Sequence, residues 1–550
     1  MNTPWNIYPR PQMKRESFIC LNGEWDFFVS KEGTAPAEYG SKIIVPYPPQ
    51  SSLSGFEGEI GQNDELFYHC FFPCPAFHDG ERIVLHFGAV DNHAEVYLNG
   101  NKLCKHSGGY LPFSVDITDW VIEENELTVK VIDKLDHDYP YGKQRIDRGG
   151  MWYTPTSGLW QTVWMEIVSC DYIRSIKIDT TLQMATVIVD TNAKDIRAEL
   201  LDDECEILIS GNEITVSPRE PKLWTPETPY LYRLKITAGE DTVETYFALR
   251  TLETKRVDGV ERLCLNGCPY FFHGLLDQGY FADGIFLPKT PEGYTKDIEI
   301  AKALGFNTLR KHIKIEPERF YYDCDRLGMI VFQDFVNNSD YSFVRDTVLP
   351  TVGFKCVKDK NLKRTEKAKE IFVAHSQETV SYLYNHPSIC LWTVFNEGWG
   401  QFEADKLYSL VKSWDKSRFV DATSGWFWQK KSDVESLHVY FKKIKLPKQH
   451  KRPIIVSEFG GYCYAVEGHL FDKKKSYGYR NCKTLEQYNE DFAKLYEMEV
   501  VPLIKEGLCA AIYTQVSDVE EEINGIMTYD REIVKLDKDV ACKIAEKLKI

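Results

Sequence analysis

The stretch Asn385–Gly400, NHPSICLWTVFNEGWG, sets the reading of the whole chain. Its middle, ICLWTVF, is a continuous apolar run of the kind that forms a strand buried on both faces. The run stops at Asn396 and Glu397, with Gly398 and Gly400 just beyond. A carboxylate and an amide at the rim of a buried strand, beside flexible backbone, are candidates for chemistry. The competing reading makes Glu397 a cap for a helix beginning near Phe402. A second stretch, RPIIVSEFGG at Arg452–Gly461, repeats the pattern of apolar run, glutamate (Glu458) and two glycines.

Working outward, residues 251–550 alternate strand-like apolar runs with amphipathic segments, the signature of βα units and a parallel sheet. YFFHGLLDQG precedes a helix expected at 291–304, TLRKH one at 316–327, and MIVFQDF an insertion and a helix at 366–384. ICLWTVFNE is followed by a helix at 402–414; FVDATSG and SLHVYF have no convincing helix after them. PIIVSEFGG leads to a helix at 484–506 and CAAIYTQ to one near 538–548. Eight strands in this order predict a (β/α)8 TIM barrel, in which functional groups sit at the carboxyl ends of the strands. The polar residues ending these runs are therefore the suspects. They include Asp277 on strand one, Arg310, Lys311 and His312 on strand two, Asp334 and Asn337 after strand three, and Asn396 and Glu397 on strand four. His438 and Tyr440 lie on strand six, Glu458 on strand seven and Tyr513 on strand eight. Gathered carboxylates repel one another and lose hydration, so an acidic rim implies a task beyond stability.

Upstream the grammar is different. Residues 1–170 show short runs of period-2 alternation, such as ERIVLHFGAV and ELTVKVID, which predict a β-sandwich. Asn99-Gly100 is a hairpin signal within it. Residues 171–250 continue in strands of a length suited to an immunoglobulin-like sandwich, and the proline-rich PKLWTPETPYLY belongs in a loop or on a sheet edge.

Composition narrows the partners. Lys and Arg number 66 against 82 Asp and Glu, a formal charge of −16, which argues against nucleic acid or an anionic membrane. The short basic patch Lys442–Lys451 reads as a solvated loop. No apolar run reaches the ~18 residues of a spanning helix. The N-terminus MNTPWNIYPRPQMKRESF has no secretory h-region, so the 15 cysteines are expected as reduced thiols in a cytoplasmic protein. Cys70/Cys74 and Cys264/Cys268 lack partners at zinc-site spacing and read as strand cysteines.

Strands four and seven lie across a barrel mouth from each other, which sets Glu397 against Glu458. Two carboxyl groups about 5–5.5 Å apart cleave a glycosidic bond with retention: one attacks the anomeric carbon, the other donates a proton to the leaving oxygen and later deprotonates water. That chemistry needs no metal or other cofactor.

The chain resembles glycoside hydrolase family 2, the β-galactosidase/β-glucuronidase family, over nearly its full length. LNGEWDF, FGAVDNHAEVYLNG, GGYLPFSVDIT and GLWQTVWMEIV resemble its N-terminal sugar-binding jelly roll. LWTPETPYLYRLKI and FALRTLE resemble its immunoglobulin-like domain; LCLNGCPYFFHGLLDQGY, NHPSICLWTVFNEGWG, SEFGG and YTQVSDVEEEINGIMTYDR resemble its barrel. The resemblance implies a retaining exo-β-glycosidase with Glu397 as acid/base, Glu458 as nucleophile and Asn396 against the substrate 2-hydroxyl. It further implies His312, Trp426, His438, Tyr440 and Tyr513 as sugar contacts, and a possible homo-oligomer. Two departures matter. Glucuronidases of the family grip the uronate with an Asn-x-Lys motif, whereas the matching EEEINGIMTYDR has no lysine there. Strand two reads RKH, where many members hold an Arg and a His one residue further apart. A uronate would then have to meet Arg310, Lys311 or a residue of the 336–346 loop. The pocket is expected to be closed by the 336–365 insertion, the N-terminal domain or a second subunit. A terminal galacto-configured sugar is the favoured small carbohydrate substrate. A β-hexuronide, as in a β-glucuronidase or β-galacturonidase, is the alternative, and a sugar-binding protein without catalysis is the reading from another class.

Overall fold

The computed structural model describes residues 3–351, 358–359, 362–447 and 451–550. Parts of the 336–365 insertion and of the Lys442–Lys451 patch thus lie outside the described residues. The alternating N-terminal runs form two antiparallel sheets. One runs, in spatial order, Ser41–Val45, Gly23–Ser30, Glu65–Pro73, Glu124–Ile132, His93–Leu98 and Asn101–Ser107. The other runs Ile19–Cys20, Val163–Ser169, Glu81–Phe87 and Phe113–Asp116. Alternate residues such as Trp25, Phe27, Tyr68, Leu85 and Val129 make the core between them. Asn99 and Gly100 take φ of 51° and 76°, the left-handed pair that a tight hairpin turn requires. A second, smaller sandwich follows, with Ser175–Thr180, Ala185–Asp190, Glu213–Pro218 and Cys205–Ser210 in one sheet and Ile196–Leu200, Tyr232–Ala238 and Asp241–Phe247 in the other. Its buried cluster is aliphatic and aromatic, built on Val187, Ile214, Tyr232, Leu234 and Phe247.

The remaining chain forms a parallel barrel. Its strands are β1 (Phe272–Asp277), β2 (Thr308–Lys311), β3 (Ile330–Asp334), β4 (Ile389–Thr393), β5 (Phe419–Asp421), β6 (Glu435–Val439), β7 (Ile454–Gly460) and β8 (Leu508–Thr514). Their spatial order is β5-β4-β3-β2-β1-β8-β7-β6, so the sheet wraps on itself and falls one pairing short of closure, between β5 and β6. The helices outside it are α1 (Glu292–Ala303), α2 (Glu318–Leu327), α3 (Glu366–Leu383), α4 (Ala404–Trp414), α5 (Leu485–Leu495) and α6 (Lys538–Lys547). Thr365, Thr484 and Asp537 cap α3, α5 and α6, each side chain accepting from a backbone N–H of the first turn. After β5 and β6 no helix occurs among the described residues, as the weak periodicity there predicts.

The lower barrel interior is filled by Phe272, Leu276, Ile330, Phe332, Leu391, Ile455, Ala510 and Ile512, and Leu263 and Trp224 join the same cluster. That apolar plug leaves only the carboxyl ends of the strands to carry polar groups inward. No helix among the described residues is long and apolar enough to cross a membrane.

Candidate active site

Glu397 follows β4 at a point where the chain turns sharply. Its φ of 53° is left-handed, a conformation that costs a non-glycine residue free energy unless its surroundings hold it there. Two bonds from the loop after β5 do so: Glu397 N donates to Ser424 O (2.9 Å), and Trp426 Nε1 donates to Glu397 O (2.9 Å). Gly398 continues the turn at φ 72°, where a Cβ would lie 1.9 Å from the Phe427 ring, so only glycine fits. The Glu397 side chain is turned to His438, with Oε1 2.7 Å from Nδ1. The other imidazole nitrogen lies 3.0 Å from the Ser424 hydroxyl and 3.3 Å from Arg310 Nη1. Arginine can only donate, so Nε2 is the acceptor and Nδ1–H donates to Glu397. Burial pushes the Glu397 carboxyl up to about 7, with the charges of Lys143, His312 and Arg310 pulling the other way. A carboxyl group that holds its proton near neutrality is equipped as a general acid.

Glu458 stands on β7 in a contrasting setting. The β6–β7 and β7–β8 pairings both slip beside it, and such irregularities re-aim side chains at barrel rims. Arg310 Nη1 donates to its Oε1 (3.0 Å) and the Tyr440 hydroxyl to its Oε2 (2.5 Å). Tyr440 is fixed by stacking on Tyr479, with ring centroids 3.8 Å apart, and by Thr514 Oγ1 at 3.0 Å. Arg310 is 1% exposed and spans the barrel: it also donates to Asp334 Oδ1 (3.0 Å), Ser457 O (3.1 Å) and Asn396 Oδ1 (2.9 Å). Burial works against its charge, but Asp334 and Glu458 outweigh that and raise its pKa further. His312 donates to the other oxygen of Asp334 (2.8 Å), and burial lowers its pKa against the pull of Asp334. One acceptor atom each from Glu397, His438 and Glu458 lies within 4.8 Å of the others.

The structure thus brings Asn396, Glu397, Arg310, His312, Trp426, His438, Tyr440 and Glu458 together. It does not bring Asp277, Lys311 or Tyr513 to the same place. Lys311 pairs with Asp277 (2.7 Å) and Glu316 (2.9 Å) and lies 4.2 Å over Phe320 of α2, outside the barrel wall. Tyr513 packs among Phe459, Phe492 and Tyr496 against α5. The reason is strand parity: Arg310 and His312 face inward, so the residue between them faces out, and Thr514 points in where Tyr513 cannot. Arg310 itself lies behind the carboxylates rather than open to a ligand. Arg345 of the 336–346 loop is held by both oxygens of Asp346 at 2.5 Å. All three regions expected to meet a uronate are therefore committed elsewhere or paired within themselves.

A part of the site lies far upstream. Residues 133–157 connect the sandwich strands Glu124–Ile132 and Gly158–Leu159 without a regular element of their own and extend over the barrel mouth. Tyr141 N donates to Asn337 O (3.0 Å) and Tyr141 OH to Ser339 O (2.8 Å), both after β3. Trp152 meets Trp399, just past Glu397, edge-on at 5.1 Å and Tyr341 at 5.0 Å. Tyr153 OH donates to Glu522 Oε2 (2.5 Å), after β8, whose Oε1 accepts from Asn524 Nδ2 (3.0 Å). The signal in the sequence was a 25-residue irregular segment, DKLDHDYPYGKQRIDRGGMWYTPTS, too long for a simple connection and rich in aromatic and basic residues.

Among the described residues Glu397, His438 and Glu458 are also the one cluster with donors close enough to share a metal ion. Glu458 already accepts from a guanidinium and a phenol, and the fixed positive charge of Arg310 opposes a dication there. The donor set fits proton transfer and nucleophilic attack by a carboxylate better than coordination.

Comparison with known proteins agrees with this architecture. Residues 57–162 match the glycosyl hydrolase 2 galactose-binding domain-like family, residues 172–250 the glycosyl hydrolases family 2 domain, and residues 261–538 the family 2 TIM barrel domain. The chain is 24% identical over 432 residues to a β-glucuronidase of Paenibacillus borealis, covering 71% of this chain and 69% of that one. It is 26% identical over 443 residues to a β-galactosidase of Thermoanaerobacter pseudethanolicus, covering 73% of this chain but 55% of that one. Among solved structures, a β-glucuronidase of an uncultured Clostridium sp. superposes with a TM-score of 0.74 at 20% identity, over 98% of this chain and 99% of that one. The jelly-roll and immunoglobulin-like sandwiches, the barrel and the family matches together place the chain in glycoside hydrolase family 2, as a glycoside hydrolase.

Proposed function

We propose that the protein is a retaining exo-β-glycosidase that releases a terminal, non-reducing β-linked sugar. The observation that carries this reading is the approach of one oxygen each of the Glu397 and Glu458 carboxylates to within 4.8 Å, which supports the short separation of a double displacement over the wider gap an inverting enzyme keeps for water. Glu458, oriented by Arg310 and Tyr440, attacks the anomeric carbon as the bond to the leaving oxygen breaks. Glu397 passes its proton to that oxygen. Glu397, now ionised, takes a proton from water, which displaces Glu458 and frees the sugar. Asn396 has its Oδ1 committed to Arg310, so its NH2 is the donor left for a sugar hydroxyl.

The identity of the sugar is a finer matter. The sequence favours a neutral galacto-configured residue. The relatives bear both β-galactosidase and β-glucuronidase names and the similar structures are β-glucuronidases, so β-hexuronides stand at least level with β-galactosides. A panel of p-nitrophenyl β-glycosides separates the two, and turnover of uronides alone would remove the galactosidase preference. Roles are read from azide rescue. Glu458→Ala should give an α-glycosyl azide and Glu397→Ala a β-glycosyl azide; the opposite stereochemistry would exchange acid and nucleophile. If neither alanine variant changed the observed hydrolysis, the sugar-binding reading without catalysis at these residues would stand instead.

A further inference from the structure

We propose that Lys143, delivered by the N-terminal sandwich rather than by the barrel, is the cation that reads an anionic substituent on the terminal sugar and so makes this a site for β-hexuronides. The proposal rests on the glycosidase reading above and deepens it. It starts from a shortage: the barrel stretch EEEINGIMTYDR carries Glu522 and Asn524 and no lysine, while Arg310, Lys311 and Arg345 are all bound to carboxylates.

Lys143 differs from these. Among the described residues its ammonium has no hydrogen-bond or ion-pair partner; it lies over the Trp152 ring, 5.6 Å from Nζ to the centroid. Its backbone is held firmly. Lys143 O accepts from Tyr153 N (3.0 Å), and the preceding Gly142 lies so close to Ile313 O that a Cβ would meet it at 3.0 Å. Ile313 directly follows His312, and Tyr141 is bonded to the loop after β3. Trp152, under the lysine, packs on Trp399 beside Glu397, and Tyr153 reaches Glu522 after β8. Lys143 thus sits in a wall that touches the loops after β2, β3, β4 and β8. Its charge is also first among those acting on both Glu397 and Glu522, in keeping with a place in the wall that Trp152 and Tyr153 tie to the β4 and β8 loops. A partly exposed ammonium with no protein partner among the described residues, carried on a wall over the barrel mouth, suits a carboxylate at C5 of the bound ring. Glu522 already accepts from Tyr153 and Asn524, so its remaining lone pairs suit neighbouring ring hydroxyls.

The test uses matched p-nitrophenyl pairs that differ only at C6: β-glucuronide with β-glucoside, and β-galacturonide with β-galactoside. The wild type should prefer the acid of at least one pair. Lys143→Gln should lower kcat/KM for that acid by roughly 10- to 100-fold, mainly through KM, as expected for loss of one charge-assisted bond. The neutral partner should change less than threefold, and Lys143→Arg should retain part of the preference. An equal loss on acid and neutral partner would mean that Lys143 acts only through Glu397 or the fold, and would overturn the proposal. So would a wild-type preference for the neutral sugar in both pairs. If no glycoside is turned over, the glycosidase reading fails separately, and thermal shift with free D-glucuronate and D-galacturonate decides the lysine. A rise in Tm lost in Lys143→Gln supports it, and no rise overturns it.

Discussion

Glu397 and Glu458 are the same residue type, less than 5 Å apart, in opposite surroundings. Glu458 is met by two donors, Arg310 and Tyr440, which fix the direction of both its oxygens. Glu397 is met by burial and the His438 imidazole, and its carboxyl is pushed up to about 7. The proposed division of labour rests on the neighbours, not on the glutamates. Strand parity decides which neighbours each one has.

The contrast can be broken from either side. Glu458→Gln should cause the largest loss, about 10⁴-fold or more in kcat, because no other group at the site can form the covalent intermediate. A residual rate within 100-fold of wild type would end the nucleophile assignment. Glu397→Gln should cost about 10²- to 10⁴-fold with a poor leaving group and much less with 2,4-dinitrophenolate, which needs no proton. Equal losses on the two leaving groups would show that Glu397 is not the acid.

Arg310→Met removes the strut shared by Glu458, Asn396 and Asp334. It should lower kcat by about 10²-fold and destabilise the barrel by about 3 kcal/mol or more, since buried carboxylates lose their counter-charge. Arg310→Lys should restore stability better than activity, because an ammonium cannot span three acceptors in fixed directions. Circular dichroism melts beside kinetics would show whether the two losses separate.

The acid side has a pH signature of its own. The folded-state pKa of Glu397, about 7, lies above its ordinary 4.5. Such a group favours the fold fully only below the ordinary value, and the contribution is lost as pH rises to 7. Glu397→Gln should therefore raise Tm more at pH 8 than at pH 5, and identical gains would mean that the carboxyl is not held protonated. The smallest expected effect is that of EDTA, which should leave activity within about twofold, because Arg310 already neutralises Glu458. A large loss restored by magnesium would point to a metal site.

Much of this was open to sequence reasoning, for a physical reason. Apolar runs of period 1 and helical segments of period 3.6 locate the barrel strands, and the helix expected at 366–384 forms at Glu366–Leu383. Glu397 and Glu458 stand out because each ends such a run. Period-2 parity also held the answer for RKH and for Tyr513: alternate residues on one strand cannot all face the pocket. What the sequence could not convey is contact across the chain. Lys143 and Trp152 lie in a segment with no regular pattern, and the Tyr341 and Trp399 rings that hold Trp152 are about two hundred residues away. Arg310 looked like a ligand for substrate because charge type alone does not reveal that five acceptors already surround it.

The bond from Tyr153 to Glu522 joins groups 369 residues apart. The barrel can bring its two glutamates together by its own strand pairing, but the wall holding Lys143 exists only after the sandwich has docked. On the Lys143 proposal, chemistry and selectivity would therefore be assembled by different parts of the chain. On refolding, cleavage of small activated glycosides should return before discrimination between them does. Exchanging residues 133–157 alone should move the preference of the enzyme without a change to the barrel.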